Sequence, residues 1–456
     1  MSVTTRFVDS FTNFAASLGL GASNLLSQAT YEFNYLTRNR KELDARYRGN
    51  WLVGVAVDAI AQDMTKLGVD ITTSLPPDQV DILVKAQSRL KIWQSLREAV
   101  KWSRLYGGAV AVLVVDGQDE STPLDISRVG LKGFKGLMVF DRWQINPNFT
   151  NLIREKGPDY GKTKFYDTVP DGNGVEFMHI HHTRIIKLNA LELPNYQRQA
   201  ENYWGMSVLE RINDRLIAYD SATAGVSQLV FKAYLRTWKI KGLRQLIAGG
   251  GAMYNAVLKN VEVVRSMQSS EGITLIDADD DFATQTYNFT GLDSVLIQFG
   301  QQISGALEVP LVRLFGQSPA GLSSTGESDL RNYYDGIQEK QQTQLGDGVH
   351  KIISLLSLSE LGRPLPADTS ITFKSLWQLS DNDKATISSS VSSEVNASYT
   401  AGLIDKVTAL KELKSISHLT GRWTNVTTEM IQEAEDEPPP VPQQAKGEPP
   451  VPQEDK

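Results

Sequence analysis

The sequence predicts an α+β protein in which two long helices bracket a small α+β insert, and three patterns carry that reading. Between Arg46 and Leu188, apolar stripes at three-to-four spacing alternate with stretches rich in β-branched and aromatic residues. From Met206 to Leu235 there is no proline and one glycine. A helix of that length reaches ~45 Å at about 1.5 Å per residue, further than an ordinary core is wide. After Thr290 a second helical run, LDSVLIQFGQQISGAL, ends at Val309-Pro310.

In chain order, Leu52, Ala56, Ile60, Met64 and Leu67 form one apolar stripe, stopped by Gly68. A strand VDITT follows, and Pro76-Pro77 breaks the chain. Ile92, Trp93, Leu96, Val100 and Leu105 mark the next helix, which stops at Gly107-Gly108 before the strand AVAVLVV. FKGLMVF, KFYDTV and VEFMHIHHTRIIKL read as further strands separated by Gly, Pro, Asn and Asp turns. In the long helix, Leu209, Ile212, Leu216 and Ile217 mix with Asp214, Arg215 and Asp220, the pattern of packing against neighbouring helices. The insert holds candidate strands RTWKI, ITLID and FATQTYNF around a helix near AVLKNVEVVRSM. FGQSPAGLSSTGESD reads as a loop, NYYDGIQEKQQTQLGDGVHKIISLLSLSEL as a long helix and SITFKSLW as a strand. Two helices with a turn near Gly402 follow, the first with a weak start signal in Ser380 and Asp383.

Composition narrows the class. The 456 residues, 41% hydrophobic and 22% charged, are enough for two to four packed domains. There is no cysteine. That excludes disulfides, a thiol nucleophile and thiolate zinc, and fits a reducing cytosol. The net charge of −7 sits mostly in Glu433 to Lys456, where seven acids face two lysines for −5, leaving −2 for the rest. A strongly basic nucleic-acid binder is not what this describes. The apolar run YGGAVAVLVV falls far short of the ~20 residues of a membrane span. Phe7, Phe11, Phe14 and Leu18 suggest a short amphipathic N-terminal helix, and Asp9 interrupts any export core. A soluble, cytosolic chain without a membrane partner is expected.

Candidate chemistry is weak throughout. GPDYGKT, from Gly157 to Thr163, has three residues between its glycines where a phosphate loop needs four, and its flanks are not a strand and a helix. HIHHTR places His179 and His181 on one face of a strand with His182 on the other, a start for a metal site without a third ligand. Asp277, Asp279 and Asp281 begin like a calcium loop, but Phe282 and Asn288 stand where glycine and glutamate are required. GLSSTG lacks the spacing of a nucleophile elbow. Arg236, Lys239, Lys241 and Arg244, with Lys232 and interleaved Tyr234 and Trp238, form a cationic stretch suited to DNA backbone or an acidic partner. EPPPVPQ and EPPVPQ in the last 24 residues hold seven of the 18 prolines, a solvated polyproline tail before it is an adaptor ligand. No catalytic set, cofactor or metal site is expected. The enzymatic alternative is metal-dependent nucleic-acid processing at the Asp277–Asp281 turn or the His179/His181 strand.

Taken in order, WLVGVAVDAIAQDMTKLG, RLYGGAVAVLVV, HHTRIIKL, YWGMSVLERI, QQISGALEVPLVRLFGQSPAGLSSTGESDLRNYYDGIQEKQ, SLWQLSDNDKAT and AGLIDKVTALKEL resemble the portal proteins of tailed bacteriophages. The resemblance spans about residues 30 to 415. It implies a ring, usually of twelve subunits, at one capsid vertex, with double-stranded DNA passing through its channel during packaging and ejection. It also implies a virion component assembled in the host cytoplasm, in contact with capsid and scaffold proteins.

The parts it implies are an arm (1–30), a wing in two pieces (31–203 and 313–379), and stem helices (204–233 and 291–312). A clip (234–290), a helical crown (380–432) and a proline-rich tail (433–456) complete them. Leu209, Ile212, Leu216 and Ile217 would pack the stem. Arg236, Lys239, Lys241 and Arg244 would lie on the clip, which meets the terminase large subunit and then the head-tail adaptor. Gln317, Ser318, Ser323, Ser324 and Thr325 would form the tunnel loop facing DNA. Small hydroxyl and amide groups there suit a channel that lets phosphates slide without gripping them.

Overall fold

The computed structural model describes residues 34–170, 174–232, 236–239, 251–267, 281–284, 291–316, 326–377 and 381–436. The fold is mixed helix and sheet, in two compact units, Met1–Lys374 and Ser375–Lys456.

The first unit opens with helices α1 (Arg40–Gly49) and α2 (Trp51–Thr65). Asn50 caps α2, its side chain accepting from the Leu52 and Val53 amides. Leu52, Ala56, Ile60 and Met64 are buried, as the stripe predicts. Strand β1 (Val69–Thr72) precedes helix α3 (Pro77–Arg89), which the sequence reading missed. Pro77 stands at the first helical position, where a missing N–H costs nothing, so it starts a helix rather than breaking one. Helix α4 (Ile92–Tyr106) closes on Gly107, whose φ of 91° is the left-handed cap that glycine allows.

Strands β2 (Gly108–Val115), β3 (Phe134–Asp141) and, later, β7 (Ile185–Asn189) form one antiparallel sheet in the order β3-β2-β7. Strands β4 (Ile145–Leu152), β5 (Thr163–Thr168) and β6 (His179–His181) form a second in that order. Helix α4 packs on β2 and β3. Val110 and Val112 of β2 also join Ile145, Tyr166 and Ile180 of the second sheet in one cluster. Covered on both faces, β2 needs an unbroken apolar run, which is why it was legible. Strand β4 was not: it contains Pro147, tolerated because β4 is an edge. The run VEFMHIHHTRIIKL is not one strand either. A turn at His182–Arg184 divides it, sending β6 and β7 into different sheets.

Two of the quoted motifs meet after β7 and the short helix α5 (Asn195–Ala200). Gly107 and Gly108 pass directly beneath Trp204-Gly205. A Cβ on Gly108 would lie 2.3 Å from the Trp204 ring, and one on Gly205 would lie 2.5 Å from the Leu191 carbonyl. Backbone contact that close requires glycine. It delivers the chain to helix α6 (Val208–Lys232), whose Leu209 amide bonds Ser207 Oγ at 3.2 Å.

Strand β8 (Arg236–Lys239) pairs with β9 (Asp281–Thr284), with helix α7 (Gly251–Met267) between them in sequence. The candidate strand ITLID lies outside the described residues. Helix α8 (Leu292–Leu307) follows and packs on α6. The short α9 (Leu311–Phe315) and helix α10 (Glu327–Lys340) follow, and a π-turn at Gln341–Leu345 leads into α11 (Gly346–Leu361). Strand β10 (Ser370–Phe373) pairs with β1.

The second unit holds helices α12 (Asp381–Thr400), α13 (Lys406–Thr420) and α14 (Thr428–Asp436), with Gly402 in the expected turn at φ 71°. Asp405 caps α13 through the Thr408 amide at 2.9 Å. Glu433 to Asp436, read from sequence as tail, instead complete α14, where Ile431 and Ala434 are buried. The amphipathic arm, Ser380 and the polyproline repeat lie outside the described residues.

His181 is buried at the sheet junction, its Nδ1 3.0 Å from Thr183 Oγ1. Desolvation, and then the neighbouring His182, lower its pKa from 6.5 to about 4. The unfolded chain therefore takes up a proton that the folded one refuses. Stability present above about pH 6.5 is lost as pH falls through about 4. His181→Gln is expected to flatten the fall in Tm between pH 7 and pH 4; curves that superimpose would exclude His181 as its source.

Candidate functional site

The site is the junction where helices α2, α6, α8, α9 and α10 of the first unit converge. It is organised by one carboxylate. Asp63 projects from α2 into a buried position, 4% exposed. Its Oδ2 accepts from Arg313 Nε at 2.9 Å and from Tyr333 Oη at 2.8 Å. Arg313 Nη2 also reaches Asp63 Oδ1 at 3.4 Å and Gln62 Oε1 at 3.2 Å. Arg313 is on α9 and Tyr333 on α10, so both ends of segment 316–326 are tied to the same group.

The electrostatics favour this arrangement. The hydrogen bond to Asp63 raises the Arg313 pKa above its ordinary value despite partial desolvation. Burial, followed by the charge of Asp63, raises that of Tyr333, so its phenol stays protonated and donates. One turn along, Gln341 Nε2 bonds the Met64 carbonyl at 2.8 Å, at the start of the π-turn. Gly316 and Gly326 bound the segment at φ 70° and 58°.

An aromatic contact links the same junction to the long helices. The Phe315 ring lies 5.7 Å from Trp51 and 6.0 Å from Tyr219, both centroid to centroid. A Cβ on Gly300 of α8 would meet Phe315 at 3.3 Å, so α8 approaches closely because position 300 has no side chain.

Helices α6 and α8 divide into two halves. Leu209, Ile212 and Leu216 are buried within the subunit, as are Gly300, Ile303 and Leu307 at the matching end of α8. Ile217 is 50% exposed, and no described residue from there to Val230 is buried. The same holds for 292–299 of α8, where Val295 and Ile297 are exposed. The four proposed stem residues thus separate: three hold the helix to its own body, and Ile217 presents an apolar side chain beyond it. Helix α7 of the insert exposes Tyr254, Leu258, Val261 and Val263.

The remaining candidates are placed less closely. Arg236 and Lys239 occupy β8 opposite Thr284 and Asp281. Lys241, Arg244, Asp277, Asp279, Gln317, Ser318, Ser323, Ser324 and Thr325 lie outside the described residues. His179 is bonded to Asp167 and stacked on Phe165 at 4.2 Å, and His181 bonds Thr183. Among the described residues no three His, Asp or Glu side chains converge as a metal site would require. No helix among the described residues is long and apolar enough to cross a membrane.

The Asp63 anchor was missed from sequence. Its signal was an acid beside Met64, inside the otherwise apolar stripe of α2.

The chain matches the phage portal protein family over residues 41–397, and it belongs to that family. It is 28% identical to an uncharacterized protein of Haemophilus influenzae over 87% of each chain. It is 26% identical to a protein of a Caulobacter species named anti-CBASS protein Acb1, over 83% of this chain and 61% of that one. Among solved structures, a chain from the neck of an empty GTA particle, computed with C6 symmetry, shares the fold. That likeness has a TM-score of 0.51 and 14% identity, over 82% of this chain and 93% of the other.

Asp63→Ala leaves a half-buried guanidinium without its partner and is expected to destabilise the first unit by about 3 kcal/mol. Tyr333→Phe removes one hydrogen bond and should cost about 1 kcal/mol. Urea unfolding followed by tryptophan fluorescence measures both; an unchanged midpoint in Asp63→Ala would remove the anchor.

Proposed function

We propose that the chain is the subunit of a portal ring at one capsid vertex, a non-catalytic conduit for DNA. Family membership supports the class. The observation that carries the ring is the unburied half of α6 and α8. Ile217, Val230, Val295 and Ile297 stand exposed on two helices whose other ends are firmly held. Exposed apolar side chains on a rigid arm are stabilised by neighbouring copies, and a closed cyclic arrangement satisfies every copy equally.

In this reading 204–233 and 291–312 are the stem, 31–203 and 313–379 the wing, and 380–436 the crown, which runs to the end of α14. The insert 234–290 is the clip, where Arg236, Lys239, Lys241 and Arg244 meet an acidic face of the terminase large subunit or the head-tail adaptor. Gln317, Ser318, Ser323, Ser324 and Thr325 face the channel on a loop whose ends Asp63 holds. A near-neutral body outside the acidic tail fits a conduit that does not grip its cargo. Twelve subunits are the ring size we adopt from the family, with capsid and scaffold proteins as assembly partners. The anti-CBASS name belongs to a relative of which the shared region is 61%; the reading here rests on the shared region itself.

Light scattering of the purified protein tests the ring: twelve copies of 50.5 kDa give about 606 kDa. Ile217→Glu and Val295→Glu should each lower that mass toward one subunit while leaving the Tm unchanged. Leu216→Glu should instead destabilise the subunit by about 3 kcal/mol or more, because it buries an unpaired charge. Rings of parental mass from both exposed-site variants would overturn the stem assignment. Ser324→Arg should leave ring mass unchanged and reduce the DNA packaged per particle; particles filled to the parental level would remove that loop from the channel.

A further inference from the structure

The loop Gly157–Thr163, too short for a phosphate cradle, lines a cavity of about 690 Å³ with β7 and the turn after α5. That volume lies within the roughly 300–1,000 Å³ range of small-molecule sites. Three cations line it, Lys162, Lys187 and Arg198, against one carboxylate, Glu192. Three tyrosines, Tyr160, Tyr166 and Tyr203, complete its walls.

The polar groups there are poorly satisfied from within the chain. Lys187 Nζ donates to the Tyr203 carbonyl at 2.8 Å and lies 4.5 Å from the Trp204 ring centre. A protonated lysine has two donors left over. Asn202 and Tyr203, neither of them glycine, hold φ of 53° and 60° in the turn that supplies this carbonyl. Arg198 Nε is buried without a hydrogen-bond partner, and its Nη2 reaches only Asn195 Oδ1, at 3.3 Å. Asn189 Oδ1 is likewise buried and unpartnered.

We propose that this cavity binds a phosphate monoester on a nucleotide-sized molecule, the phosphate held by Lys187, Arg198 and Lys162 and the base against the tyrosine rings. A dianionic phosphate can answer several converging cations at once, and the free Arg198 Nε offers it a donor. The assignment is independent of the ring reading, since all of these residues lie within one subunit.

Protonation sets a distinguishing signature. Burial first, then Arg198, Lys162 and Arg142, lower the Lys187 pKa to about 7. Arg142 is paired with Glu201 at 2.9 Å and Lys162 with Asp159 at 2.8 Å, while Glu192 is the remaining charge at the cavity. An arriving anion favours the charged lysine, so binding is tight below about pH 7 and weakens as pH rises. The second ionisation of the phosphate, at about pH 6, works weakly in the opposite direction.

Calorimetric titration of the full-length chain with dAMP, inorganic phosphate and deoxyadenosine, at pH 6.5 and 8.5, tests this. The expected result is dAMP binding at least about tenfold tighter than either fragment, and about tenfold weaker at the higher pH. Lys187→Met should weaken dAMP binding about tenfold and abolish its pH dependence. Arg198→Gln, on the exposed short helix, should weaken it comparably and retain that dependence, which keeps the test open if the first variant misfolds. Absence of dAMP binding at millimolar concentration, equal affinity for dAMP and either fragment, or parental affinity in Arg198→Gln would each overturn the proposal. Tighter binding of duplex DNA than of dAMP at the same site would overturn it as well.

Discussion

Asp63 is the group on which the junction of the first unit depends. A buried carboxylate needs partners, because an unpaired charge in a protein interior is strongly unfavourable. Here the partners come from α9 and α10, the two elements bounding segment 316–326. Satisfying one carboxylate from both sides fixes the ends of that segment relative to α2. The same helix α2 packs on α4, and α4 on the central strand β2. The segment's ends are therefore referenced to the sheet core through only two packing steps.

The second constraint is the glycine crossing beneath Trp204. Gly107, Gly108 and Gly205 let two backbone segments touch, and Trp204 fills the space their absent side chains leave. The crossing sits just before α6, so it sets where the long helix starts and which of its faces meets the body. Thr37 strengthens the placement: its amide donates to Glu210 Oε2 at 2.7 Å and its Oγ1 accepts from the Ser207 amide at 3.0 Å. Fixing the first turn of a rigid helix fixes the direction of its unburied end.

What could be read from the sequence followed the strength of local pattern. The stripe Leu52 to Met64, the doubly buried run of β2 and the proline-ended helix Leu292–Leu307 were legible because burial on a helix or sheet face imposes a period. Helix α3 is not legible because Pro76-Pro77 reads as a break in the chain, although position within the helix decides what proline does. Strand β4 was lost for the same residue type, since only the sheet order shows that Pro147 lies on an edge. The Asp63 anchor joins residues about 250 and 270 positions apart, and the Lys187 cavity joins a hairpin, a strand and a turn; such juxtapositions leave no period in the chain. The ordered motifs nevertheless pointed to the family, because the glycine crossing, the α8 ending and the approach to segment 316–326 each demand particular residues locally.

Phe315 ties these constraints together. It is the last residue of α9 before the segment, and its ring touches Trp51 on α2, Tyr219 on α6 and the bare backbone at Gly300 on α8. Tyr219 lies just beyond Leu216, where α6 passes from buried to unburied. A displacement of the segment that carried Phe315 would press on both long helices at the point where they leave the body. In the ring proposed above, with segment 316–326 placed on the channel, this contact would make the position of the segment and the splay of the α6–α8 pair one coupled variable. Asp63, holding the other side of α9, would then set the rest position of both.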